Sequence, residues 1–364
     1  MTLLFRSSGF RRISLFAARN CSIDSASRFF IPTFPHIHRR FVQKSSFSST
    51  SSAALLQMTT LRSFPAKSNP SASLQVSEYF HKQSNTWTFI VACSETKEAM
   101  IVDPCLEFDV PSGRIGTTSA DQIIASSIGM GYRVKYLNET HAHADHITAS
   151  AYIKERLLAE HGVAASYAIG ERIVEVQKIF ADVFDWKKES PSFVPDGSGF
   201  DKLWKDGDTF SIGNFQFRCL HTPGHTPACV TYVCDDAKVM FGGDTLFHDT
   251  FGTARADFPG GSASTLYDSI QKLLALPGDF TLFVGHDYVP GGSQREFLSC
   301  STIGEEREKN VHVGAGKTRE EYIKMRTTRD AGLSVPNLLL PSIQVNALCS
   351  GKIPQRLVIP VNKL

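Results

Sequence analysis

No apolar run in the 364-residue chain approaches the about 18–20 residues of a membrane-spanning helix, so no membrane-embedded role is expected. Cysteine is sparse and scattered, at Cys21, Cys93, Cys105, Cys219, Cys229, Cys234, Cys300 and Cys349, with no C-x-x-C pair. That argues against a zinc ribbon and against a disulfide framework. The cysteines read as small buried hydrophobes in a reducing compartment. Acidic residues are almost missing from the first sixty positions, which hold one Asp and no Glu beside seven Arg, one Lys and twelve Ser. The head therefore carries +7 in a chain of net charge +2, which leaves the remainder at −5. A mildly acidic body lacks the clustered positive charge that phosphate binding needs, so nucleic acid is not an expected partner. An Arg-rich, Ser-rich, acid-poor head has the composition of an organelle transit segment, here one addressed to the mitochondrial matrix; a basic tail without an address is the alternative. With 42% hydrophobic and 20% charged residues, the rest can bury a core as one large domain or two modest ones.

Residues 1 to about 70 are expected to be a disordered, removable segment and linker, with globular patterning starting near Val76. Trp87–Ala92 and Ala99–Val102 predict a β-hairpin ended by Asp103-Pro104. Helices are predicted over Ala120–Met130, Ile147–Glu160, Ile173–Phe184, Thr265–Leu276 and Thr318–Thr328. Strands are predicted at Val134–Leu137, Ser166–Ile169, Thr209–Ile212, Phe215–Leu220, Cys229–Cys234, Val239–Phe241 and Phe280–Val284. Two β-rich clusters, each followed by helices, predict a pair of stacked sheets with helices outside rather than a doubly wound fold.

The chemistry concentrates in His141-Ala142-His143-Ala144-Asp145-His146, directly after a predicted strand. With twelve His in 364 residues, H-x-H-x-D-H at a given start arises by chance on the order of 10⁻⁶. Alternate residues of an extended segment face one way, so His141 and His143 can share a side. Imidazole with carboxylate suits Zn, Fe, Mn or Ni. Three weaker signals follow, also at strand ends: His225 in a Thr-Pro-Gly-His-Thr loop, Asp244 in Gly-Gly-Asp-Thr, and His286 in Gly-His-Asp-Tyr288. Each alone reads as a turn residue; their common position raises their weight.

In this order the motifs resemble the metallo-β-lactamase superfamily, and within it the glyoxalase II and persulfide dioxygenase branch, over about Val76 to Asn346. The resemblance implies an α/β fold, an αβ/βα sandwich of two mixed sheets with the metal site at one edge. It implies a catalytic domain over 74–300, with 301–364 an extension packing on it. Metal-ligand roles would fall on His141, His143, His225 and Asp244, with a second site from Asp145, His146 and His286. Glyoxalase II-like enzymes use two metals, here two Zn²⁺, to hydrolyse a glutathione thioester. Persulfide dioxygenases resemble them but hold one Fe²⁺ per chain in a two-His, one-carboxylate face. By that resemblance the iron ligands are His141, His225 and Asp244. His143 and Asp145 then assist catalysis, and His143, Asp145, His146 and His286 stand beside the iron or form an additional site. The substrates implied are glutathione persulfide and O₂, and a homodimer is compatible with this reading.

H-x-H-x-D-H occurs in both sub-branches and does not separate them; the stretch after Asp244 does. The Gly-Lys-Phe-Tyr segment usual in glyoxalase II is missing, and Arg255-Ala256-Asp257-Phe258 resembles the persulfide dioxygenase pattern. Gly252-Thr253-Ala254-Arg255, the long segment Gly162–Asp208 and the tail Pro341–Asn346 look more like bacterial β-lactamase-like members than animal ones. Arg255, Asp257 and Tyr288 are the candidate substrate-binding residues. Arg suits a substrate carboxylate, while an Arg255–Asp257 interaction bracing the loop is the alternative.

Overall fold

A computed structural model describes residues 56–69, 71–289 and 295–359. The chain opens with four strands: β1 (Leu56–Pro65), β2 (Ser73–His81), β3 (Thr86–Cys93) and β4 (Glu98–Val102). β5 (Cys105–Asp109), β6 (Arg114–Gly116), α1 (Thr118–Gly129), β7 (Arg133–Asn138), β8 (Ile147–Thr148), α2 (Ser150–His161), β9 (Ser166–Gly170), α3 (Ile173–Val183), α4 (Trp186–Glu189) and β10 (Lys202–Trp204) follow. The second half contributes β11 (Thr209–Ile212), β12 (Phe215–His221), β13 (Val230–Cys234), β14 (Val239–Phe241), α5 (Ala263–Leu274), β15 (Thr281–Phe283), β16 (Cys300–Thr302), α6 (Ile303–Lys309), α7 (Arg319–Asp330) and α8 (Leu339–Ile343).

The strands form a seven-stranded sheet ordered β1-β2-β3-β4-β7-β9-β10, a six-stranded sheet ordered β11 to β16, and a small sheet β6-β5-β8. Both large sheets mix parallel and antiparallel neighbours. Strand alternation explains the layering. Phe89 and Val91 of β3 and Met100 and Val102 of β4 meet Phe210, Phe217, Tyr232, Phe241 and Phe283 of the other sheet in one core. Their neighbours Ile90, Ala92, Ala99 and Ile101 face a second core with Ile123 of α1, Ile153 of α2 and Val176 of α3. β3 is thus buried on both faces. Leu266, Ile270 and Leu273 of α5 belong to the first core. Two mixed sheets with outer helices form the expected α/β sandwich.

Three boundaries differ from the sequence reading. The segment up to residue 70 is not disordered throughout: Leu56–Pro65 pairs antiparallel with Ser73–His81, and Arg62 Nε binds the buried Glu78 carboxylate at 2.5 Å. Residues 1–55 and 70 of that expected transit segment and linker lie outside the described residues. Ile147 and Thr148 do not begin a helix but pair with Leu106 and Cys105, so α2 starts at Ser150. Finally, β16 crosses the expected 300/301 boundary and pairs with β15, so the C-terminal part completes the second sheet.

Candidate metal centre and substrate cavity

The four motifs sit where strands end: His141 after β7, His225 after β12, Asp244 after β14 and His286 after β15. Glycine permits the approach. Gly243, at φ +49°, would bring a Cβ within 2.2 Å of Thr140 Oγ1, and a Cβ on Gly285 would lie 2.6 Å from Asp244 Oδ1.

His141, His225 and Asp244 form one buried group whose ligand atoms all lie within 4.8 Å of one another. Asp244 Oδ2 is 4.0 Å from His141 Nε2 and 3.8 Å from His225 Nε2. Each imidazole is oriented from behind. The Thr140 hydroxyl donates to Asp103 Oδ2 at 2.8 Å, so its oxygen accepts the His141 Nδ1 proton at 3.0 Å. His225 Nδ1 donates to the Arg255 carbonyl at 2.8 Å. Both arrangements leave an Nε2 lone pair facing the centre. Burial first, and then the imidazoles of His143 and His225, hold His141 well below the usual histidine pKa, keeping it neutral.

His143, Asp145, His146 and His286 form a second group. Asp145 Oδ2 lies 3.1 Å and Asp244 Oδ1 3.4 Å from His286 Nε2. His143 adjoins His141, with ring centroids 4.0 Å apart, but turns its Nε2 outward to Asp103 Oδ1 at 3.0 Å and Glu139 Oε2 at 3.1 Å. Burial opposes its charge, yet those two carboxylates raise His143 well above its usual pKa. Asp103, at φ +49° just after β4, accepts from the Thr140 N–H as well. Asn346, in the π-helical turn Gln344–Leu348, clamps the motif loop: its Nδ2 donates to the carbonyls of His143 and His146 at 2.8 Å each, and its Oδ1 accepts from Thr148 N–H at 2.9 Å.

Both groups fit a metal ion. His141 Nε2, His143 Nδ1, His146 Nε2 and Asp244 Oδ1 are buried and make no hydrogen bond. Native interiors rarely leave such atoms unsatisfied, and a cation satisfies all of them.

A cavity of about 550 Å³ opens on the first group through His225 and Asp244 and on the second through Asp145. Phe247, Phe251, Phe258 and Tyr288 wall it, and Arg255, Arg326 and Arg329 supply its cationic groups. The structure thus brings together His141, His143, Asp145, His146, His225, Asp244 and His286, with Tyr288 stacked on His286 at 5.6 Å. Of the two expected substrate-binding residues beside the metal loop, Arg255 lines the cavity and Asp257 does not. Asp257 instead grips Arg255 through both oxygens, at 2.6 and 2.7 Å, while Arg255 Nη1 reaches the Ser334 carbonyl at 2.8 Å. The pair braces the loop, with Arg255 still on the cavity wall. Sequence reading missed Asp103, Glu139, Thr140, Asn346, Arg326 and Arg329. Of these, only Glu139 and Thr140 had a signal, lying inside the motif segment.

The metallo-β-lactamase superfamily model matches residues 82–286. A probable metallo-hydrolase of Burkholderia pseudomallei is 43% identical over 78% of this chain and 95% of its own length. A glyoxylase B2 of Dictyostelium discoideum is 41% identical over 78% and 95%. The mitochondrial persulfide dioxygenase ETHE1 of Bos taurus is 30% identical over 70% and 81%. Among solved structures, ETHE1 from Myxococcus xanthus superposes with TM-score 0.57 at 28% identity, covering 75% of this chain and 98% of that one.

Proposed function

The chain belongs to the metallo-β-lactamase superfamily and is related to its persulfide dioxygenase branch, and on that premise we propose that it oxidises glutathione persulfide at a single ferrous ion. The overall change is glutathione persulfide plus O₂ plus water to glutathione, sulfite and two protons. The observation that carries this reading is the convergence of two oriented imidazole Nε2 atoms and one carboxylate at the inner end of the cavity. His141, His225 and Asp244 would hold the ferrous ion, which would supply the electrons through which ground-state O₂ reacts.

The protein's own groups do the rest. Thr140 and Arg255 fix the ligand tautomers. Phe247, Phe251, Phe258 and Tyr288 line the approach and keep bulk water from the reacting sulfur. Asp145, whose Oδ2 lies 3.1 Å from His286 Nε2, stays ionised beside the centre and would accept a hydrogen bond from the water that completes sulfite. His143, held by Asp103 and Glu139, fixes the wall next to His141. Residues 1–60, through their composition, support a mitochondrial location for the reaction.

A second reading has an observation of its own: the group His143, Asp145, His146 and His286 gathers four ligand atoms, and the Burkholderia pseudomallei relative is named a probable metallo-hydrolase. One Zn²⁺ in each of the two groups would give a glutathione thioester hydrolase. The test loads the protein anaerobically with Fe²⁺, adds glutathione persulfide and follows O₂ with an electrode. One O₂ consumed per sulfite formed, with Asp244→Ala abolishing both uptake and iron retention, supports the dioxygenase. No O₂ uptake, together with cleavage of S-lactoylglutathione by zinc-loaded protein, replaces it with the hydrolase.

A further inference from the structure

Three guanidinium groups line the cavity, and two of them are already neutralised. Arg326, buried on α7, gives Nε and Nη2 to Asp330 and Nη1 to the Thr253 carbonyl at 3.0 Å. Arg255 is held by Asp257 and the Ser334 carbonyl. The side chain of Arg329, three residues on from Arg326, makes no hydrogen bond or ion pair with any described residue. Its neighbour Asp330 is taken up by Arg326 and by the Ala256 N–H at 2.9 Å. The surrounding field is positive: burial first, and then Arg326 and Arg329, push the His312 imidazole down to about 4.

The cavity is therefore polarised. Its inner end is the His225 and Asp244 cluster, its walls are aromatic, and its α7 side carries a cation with no counter-charge among the described residues. Such a site selects an elongated ligand with a reacting group at one end and an anion several bonds away. A guanidinium whose donors meet no described residue can match a carboxylate through two parallel hydrogen bonds, which the occupied Arg255 fork does not offer. We infer that Arg329 is the anion-binding residue of this cavity, taking a carboxylate of the peptide thiol carrier whose sulfur is presented to His141, His225 and Asp244. The carrier's reacting end rests on the dioxygenase reading; the anion subsite rests on charge and placement alone.

The test is calorimetric binding of S-methylglutathione, which cannot react, and of its diethyl ester, which lacks both carboxylates, to the full-length metal-loaded protein. Arg329→Ala is expected to weaken S-methylglutathione binding about 10- to 100-fold, the effect of losing a charge-assisted contact, and to leave the ester unchanged. Arg329→Lys should recover part of the loss. Arg329 is exposed, so both variants should keep the wild-type melting temperature. Equal S-methylglutathione binding by wild type and Arg329→Ala overturns the inference, as does no binding to wild type or an equal loss for the ester. Arg329-dependent binding without O₂ consumption from glutathione persulfide would sink the dioxygenase reading and keep the subsite. O₂ consumption with an unchanged KM in Arg329→Ala would do the reverse.

Discussion

His225 gives its Nδ1 proton to the backbone carbonyl of Arg255 at 2.8 Å, while the side chain of that same Arg255 is locked by Asp257 and Ser334. The arginine thereby ties a metal-ligand candidate to a loop 79 residues further along the chain. Its guanidinium also lies over the Phe258 ring, 5.0 Å from the centroid. Arg255→Ala should free the carbonyl to drift and loosen His225, costing roughly 10- to 100-fold in metal affinity, the usual scale for partners behind a ligand. Asp257→Asn should give a smaller loss in the same direction. Metal competition with a chromogenic chelator measures it. If Arg255→Ala holds metal like wild type and loses only substrate affinity, the brace is not its role.

Asn346 should matter for stability rather than for substrate. Its amide closes three backbone hydrogen bonds on the H-x-H-x-D-H loop and is 2% exposed. Asn346→Ala strands two buried carbonyls and one N–H, at about 1–3 kcal/mol each before relaxation or water entry. A loss of about 2–4 kcal/mol in urea unfolding, with weaker metal retention, is expected. Asn346→Asp should be worse, because it removes the donor and buries a charge. Unchanged unfolding midpoints for both variants would refute the clamp.

What the sequence could reveal was set by range. The strand ends that carry His141, His225, Asp244 and His286 were legible because each lies beside its own apolar run. Asp103 was not: Asp-Pro reads as a strand terminator, and its role depends on β4 lying parallel to β7 with Val102 opposite Asn138, a pairing between segments far apart. Ile147 looked helical by spacing, yet its partner is Leu106. The bracing contact of Arg255 was out of reach because it depends on the Ser334 carbonyl, 79 residues away. β1 was hidden by its Ser-rich surroundings; only pairing with β2 makes it a strand.

That strand separates two truncations. Deleting residues 1–55 keeps β1, whereas deleting 1–70 removes it together with Arg62, the partner of buried Glu78, and Ser68, whose N–H donates to Asp236 at 2.9 Å. The first form should unfold like the full chain. The second should lose at least about 1.5–3 kcal/mol from the Glu78 contact alone, and should expose the edge of β2 to aggregation. In cells, the 1–55 deletion should also shift the protein from mitochondria to the cytosol. Equal urea midpoints for the two truncations would show that β1 contributes nothing, and an unmoved 1–55 deletion would refute the targeting role.

Glu306 on α6 predicts how stability varies with pH. It is fully buried by area, and burial raises its carboxyl to about 7 even though the Ser301 hydroxyl and the Asn310 amide favour the charged form. The folded chain therefore holds this proton more tightly than the unfolded chain, where the group titrates near 4.5. Unfolding between those values releases a proton, so the contribution is fully present below about 4.5 and is lost as pH rises through about 7. The shift corresponds to about 3 kcal/mol. Glu306→Gln supplies a permanent neutral group that donates to Ser301 and accepts from Asn310, as the protonated acid does. Its urea-unfolding free energy should match wild type near pH 5 and exceed it by up to about 3 kcal/mol at pH 8. If the difference between the two proteins stays constant from pH 5 to 8, Glu306 is ionised throughout, and the Ser301 and Asn310 hydrogen bonds outweigh its burial.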